Sequence, residues 1–134
     1  MALMFLTGDG MSGGPLHHHI SGAQLLGERR TAPGYRLYSV RDEFPALHPV
    51  SEGGQAILGE LYEVPMGQLR DLLADEPAEL ELSMVQLDAE AAGPAATATL
   101  SFGMVLRRGE PGRYPDITQY GGWLAYRSTR SAGR

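Results

Sequence analysis

The sequence predicts an α+β domain dominated by short strands, on three observations. Eighteen glycines and nine prolines punctuate many brief apolar runs, the pattern of strands joined by tight loops. Tyr35-Arg36-Leu37-Tyr38-Ser39-Val40 alternates with the two-residue period of a half-buried strand, and Ala56 to Val64 is the strongest strand signal in the chain. Pro65 suits the first position of a helix on which Met66, Leu69, Leu72 and Leu73 share one apolar face.

The elements follow in order. Leu3 to Leu6 forms a first strand and breaks into Gly8-Asp9-Gly10-Met11-Ser12-Gly13-Gly14, where glycines open conformations closed to other residues. Pro15 and the segment from Leu16 form a short helix or turn that leads into a strand around Leu25 to Thr31. The strands at 35–40 and 56–64 are expected near the sheet centre, with Phe44-Pro45-Ala46-Leu47 as a turn and His48 at a strand edge. Pro77 ends the helix. Leu80 to Leu87 and Ala95 to Arg107 supply two more strands around the turn-prone Ala91-Ala92-Gly93-Pro94. Asp116 is placed to cap a short helical turn, and Tyr120-Gly121-Gly122-Trp123 reads as a clasp that docks Trp123 on the sheet.

With 134 residues, 43% of them hydrophobic, the chain fits one domain over residues 1–127, and the small, polar and basic residues 128–134 read as a frayed tail. All 11 basic side chains are arginines, and Cys, Lys and Asn are absent. That excludes thiol nucleophiles, disulfides, thiolate metal sites and lysine chemistry, leaving carboxylate, His, hydroxyl and backbone groups. A formal net charge of −5 with no basic stripe excludes a nucleic-acid surface or a polybasic membrane surface. The apolar opening Met1 to Leu6 is too short to span a bilayer and lacks the features of a signal peptide, so a cytoplasmic protein is expected.

Several segments, taken in order, resemble the gamma-glutamylcyclotransferase-like family: the strand and glycine loop, the His cluster, Gly34-Tyr35-Arg36-Leu37-Tyr38, Phe44-Pro45-Ala46-Leu47 and Gly59-Glu60-Leu61-Tyr62-Glu63-Val64. The tail from Pro115 to Tyr126, with Arg30 to Tyr38, is similar to one branch, the C-terminal domain of allophanate hydrolase and its stand-alone relatives. The resemblance runs from Leu3 to Tyr126. It implies a small mixed β-barrel flanked by short helices.

The resemblance also implies a chemistry. Backbone N–H groups of Gly8, Asp9, Gly10 and Met11 would bind substrate, because fixed donors hold a carboxylate or a developing oxyanion without reorganising. Glu76 falls where the cyclotransferases place their acid/base residue, and an apolar surround would raise its pKa toward a useful value. The implied reaction attacks the side-chain amide of a γ-glutamyl amine with its own α-amine and releases 5-oxoproline. The sequence departs from the family at Thr7, where a tyrosine is usual, and at Gly10, Leu73 and Pro77. A His at position 10, the base credited with decarboxylation in the allophanate hydrolase branch, is absent, so that mechanism has no base here.

Among His17, His18 and His19, consecutive placement makes three ligands to one metal geometrically poor. His17 is expected to support the loop or contact substrate, with no metal and no cofactor. If Glu60 faces inward it needs a partner, and Arg36 on a neighbouring strand is the candidate, either to hold strands together or to grip a substrate carboxylate. The expected partner is a small-molecule substrate. The alternative is a non-catalytic binding or assembly domain of urea and allophanate metabolism, self-associating or joined to an allophanate hydrolase amidase.

Overall fold

The computed structural model describes residues 1–8, 10–11, 14, 16–88, 99–107 and 111–132. Among the described residues, seven strands and two α-helices run in the order β1 (Ala2–Leu6), β2 (Gln24–Arg30), β3 (Tyr35–Val40), β4 (Phe44–Pro49), β5 (Leu58–Val64), α1 (Met66–Asp75), β6 (Leu80–Gln86), β7 (Leu100–Leu106) and α2 (Trp123–Ala132). Short 3-10 turns at His17–Ile20 and Thr118–Tyr120 lie between them. No helix among the described residues is long and apolar enough to cross a membrane.

The strands form one mixed sheet in the order β2-β5-β1-β7-β4-β3, and β6 also pairs with β7. β7 runs parallel to β1 and to β4, and the other pairings are antiparallel. The expected barrel is therefore an open sheet. It curls far enough for the ends of β2 and β6 to meet at one bridge, Thr31 with Leu87, flanked by bonds from Ala32 N–H to Gln86 O and from Asp88 N–H to Arg30 O. Curling of this kind follows from the right-handed twist that every strand adds.

β5 occupies the interior position that its apolar run predicts, and β1, paired on both sides, is buried at nearly every residue. β3 differs from expectation: it ends the strand order instead of lying near the centre. Phe44 to Leu47 also differs, being strand and not turn; the turn is Arg41-Asp42-Glu43, with Arg41 and Asp42 both at positive φ. The strand expected from Ala95 begins at Leu100 within the described residues, and Ala91 to Pro94 lie outside them. α2 continues past position 127, the boundary that composition suggested for the domain.

The main core gathers Phe5, Leu37, Ile57, Leu61, Leu72 and Val85, each with almost no exposed surface. A smaller cluster, Val40, Phe44, Ala46, Leu80 and Leu106, fills the corner between β4 and β6. It borders the loop that follows β1.

Candidate active site

Helix α1 sets the position of Glu76. Its Leu69 and Leu72 are buried, and Pro65 starts it, accepting the Leu69 N–H at its carbonyl. Because Pro77 disfavours the helical conformation for the residue before it, Glu76 turns extended, with φ −66° and ψ 145°, while its N–H still donates to Leu73 O. The chain thus leaves the helix axis at Glu76. The half-buried side chain lies beside Leu80 at the start of β6.

The loop after β1 comes from the other direction. Its turn is closed by Met11 N–H donating to Gly8 O at 3.0 Å. Gly8 packs so tightly on β4 that a Cβ there would stand 2.4 Å from Cδ of Pro45, closer than any side chain tolerates. Gly10 is held from behind: His17 Nδ1 lies 3.0 Å from Gly10 O, and since a carbonyl only accepts, Nδ1 carries the proton. The His17 ring also stacks obliquely against Tyr62, with centroids 5.7 Å apart.

These pieces converge. Thr7, Gly8, Gly10, Pro45, Glu76 and Met104 line one cleft of about 20 Å³, room for about one water molecule. Glu76 is the only member of its acidic run on that wall. Asp75 is 2.6 Å from His19 Nε2, Glu79 accepts from Arg41 at 2.6 Å, and Glu81 faces Arg107 at 3.8 Å. The Arg41 guanidinium, helped by Glu79's own backbone, holds the Glu79 carboxyl below its ordinary range.

The other expected site residues fall differently. Asp9 lies outside the described residues. Met11 has spent its N–H on Gly8 O, and its buried side chain lines a second cavity instead of the cleft. His17 stands behind the loop and supports it. The expected pairing of Arg36 with Glu60 does not form: Arg36 bonds Asp116, and Glu60 accepts the Tyr62 hydroxyl at 3.0 Å. Asp116 does cap the Thr118–Tyr120 turn, accepting the Thr118 N–H at 2.9 Å. His18, His19 and Asp75 bring one ligand atom each to within 4.8 Å of one another, the grouping among the described residues that could hold a cation.

Pro45 and Met104 are cleft residues that sequence reasoning missed. Neither carries polar chemistry, and it is the pairing of β7 with both β1 and β4 that brings them to the loop.

Residues 2–128 match the model of the allophanate hydrolase C-terminal domain. The chain belongs to that family. It is 34% identical over 87 residues to a Vibrio cholerae serotype O1 protein named "Putative gamma-glutamylcyclotransferase", an alignment covering 63% of this chain and 71% of that one. A solved uropathogenic E. coli-specific protein superposes with a TM-score of 0.81 at 27% identity, covering 95% of both chains. Kluyveromyces lactis allophanate hydrolase superposes with a TM-score of 0.78 at 25% identity over 96% of this chain and 21% of its own. The chain spans about a fifth of that enzyme. The family and fold expected from the motifs are therefore both found, with the sheet open where a barrel was expected.

Proposed function

We propose that this domain is a cytoplasmic small-molecule enzyme of gamma-glutamylcyclotransferase type, acting on a γ-glutamyl amine or a related amide. The observation that supports the reading is the shared cleft of Glu76 with Gly8 and Gly10. Glu76 takes a proton from the substrate's α-amine as that nitrogen bonds to the side-chain carbonyl carbon. The oxygen gathers negative charge and is met by backbone N–H groups of Gly8 and Gly10, donors already fixed in place. Glu76 then returns the proton to the departing nitrogen as the amide bond breaks. The products are 5-oxoproline and the free amine.

The cleft must widen to admit such a substrate, and the lining residue best suited to yield is Met104, whose unbranched side chain can repack. The deciding experiment follows 5-oxoproline release from a panel of γ-glutamyl amines. The Glu76→Gln variant should lose at least about a hundredfold in rate, the ordinary contribution of a positioned acid/base. Unchanged release by that variant would remove Glu76 from the chemistry.

A second reading, a binding or assembly domain for an allophanate hydrolase amidase, draws on one observation. Leu82 and Met84 on β6 and Leu100 on β7 are exposed on adjoining strands. Size-exclusion elution of the chain, alone and mixed with the amidase region, tests it. A Met84→Glu variant should abolish any shift that this surface causes.

A further inference from the structure

The three consecutive histidines do not act together, because the fold separates them. His17 is committed to the loop, with its Nδ1 on Gly10 O and its ring against Tyr62. His18 and His19 lie ring against ring, with centroids 4.0 Å apart and planes tilted by 40°. Successive side chains of a 3-10 turn leave its axis about 120° apart, so the backbone alone does not bring neighbouring rings together.

Both rings meet Asp75, which ends α1 and stands 56 positions after His19. His19 Nε2 lies 2.6 Å from Asp75 Oδ2. One nitrogen of His18 completes a group whose three donor atoms all lie within 4.8 Å of one another. The two segments that carry them are anchored separately: Ile20 buries the end of the His17–Ile20 turn, Leu69 and Leu72 bury one face of α1, and the turn packs against the helix.

The surroundings favour a cation. The last turn of α1 carries no basic side chain and ends on Asp75, so a carboxylate is added where the helix dipole is already negative. A divalent ion would answer both. The donor set selects the ion, because two imidazole nitrogens and one carboxylate oxygen suit zinc, whereas magnesium and calcium take oxygen ligands. Bonds of about 2.0–2.2 Å to a tetrahedral zinc set its ligand atoms about 3.4 Å apart, so Asp75 withdraws from His19 and His18 closes in, each by no more than about 1.5 Å. The side chains of His18 and Asp75 are exposed, so that adjustment displaces no core packing.

We propose that His18, His19 and Asp75 form a zinc site with water in the fourth position. Three consecutive ligands are geometrically poor; here only two of the histidines bind, and the third ligand comes from another element. The ion ties the turn that follows the glycine loop to the end of α1. The site is independent of the cyclotransferase reading, since it uses neither Glu76 nor the glycines of the cleft.

The test is calorimetric titration of the full chain, carrying no affinity tag, with zinc chloride and separately with magnesium chloride. Zinc should bind at one site per chain with a dissociation constant below about 100 μM, and magnesium should show no binding in that range. Asp75→Asn is the decisive variant, because it leaves the histidine run intact. It should weaken zinc about tenfold or more, as should His18→Ala, since loss of a ligand costs at least the 10–100-fold that follows loss of a ligand's outer support. His48→Gln, on β4, should leave the affinity unchanged. Zinc should also raise the thermal midpoint of the native chain by more than that of Asp75→Asn. The proposal is overturned if no zinc binds with a constant below about 100 μM, or if magnesium binds as tightly as zinc. Unchanged affinity in Asp75→Asn overturns it as well, by placing the metal on the histidine run alone.

Discussion

Arg36 and Asp116, eighty positions apart, form a two-point ion pair: Nε donates to Asp116 Oδ2 at 2.8 Å, and a terminal guanidinium nitrogen lies 2.8 Å from the same oxygen. The pair ties the segment before α2 to β3, beside the bridge of Tyr38 with Asp116. Burial pushes the Asp116 carboxyl up. Hydrogen bonds from Thr118 and the Arg36 guanidinium outweigh burial and hold the carboxyl below its ordinary range.

A carboxyl whose folded pKa is depressed contributes stability that is complete above its unfolded value, about 3.9, and is lost as pH falls through the lower folded value. The thermal midpoint of the native chain should therefore exceed that of Asp116→Asn by a constant margin at neutral pH. Below about pH 4 the margin should shrink. Midpoints measured across this range check it, and a margin that grows on acidification contradicts the depressed value.

Tyr126 fixes α2 to the β3–β4 turn by donating to Asp42 Oδ1 at 2.6 Å, an oxygen that also accepts from Ser39 Oγ at 2.6 Å. Its ring packs edge-on to Tyr120, with centroids 5.1 Å apart, so Tyr126→Phe removes the hydroxyl and keeps the packing. The expected loss is about 1.5 kcal/mol in urea denaturation, at the modest end for a bond to a charged acceptor. Tyr126→Ala should cost several times more, because it also removes a side chain that is only 7% exposed.

In the proposed mechanism His17 acts on the cleft through Gly10, whose carbonyl lies 3.0 Å from His17 Nδ1. His17→Phe should leave the thermal midpoint within a few degrees and lower kcat for 5-oxoproline release by about tenfold with little change in KM, since the loss is in placing an oxyanion donor. His17→Asn, whose amide can donate from near the Nδ1 position, should recover part of kcat. Equal losses in kcat and stability would make His17 a packing residue alone.

The contrast between legible and hidden features has physical causes. β5 and α1 could be read because their apolar spacing is local. β4 could not, because Pro45 and Pro49 look like turn residues. The strand accommodates them by sharing a single partner pair with β7, Leu47 with Val105, so most of that edge needs no donors. The order of motifs singled out Glu76 and the glycine loop, and Glu76 shares a cleft with Gly8 and Gly10. The partner of Arg36 was misread because Asp116 arrives from a distant segment, and the volume of the cleft depends on Pro45 and Met104, which carry no chemical signature.

The contact between Gly8 and Pro45 gives the sharpest test of how the loop is held. A Cβ at position 8 would meet Pro45 Cδ at 2.4 Å and Cγ at 2.6 Å, both atoms of a rigid ring. Gly8→Ala should therefore destabilise the fold by about 1–3 kcal/mol, the usual cost of forcing extra volume into a packed site. Pro45→Ala deletes both clashing atoms. In the double variant the added methyl occupies the space the ring has left, so the two effects should fail to add by about 1 kcal/mol or more. Denaturant midpoints of the two single variants and the double variant close this cycle, and strict additivity would mean that the loop does not rest on Pro45.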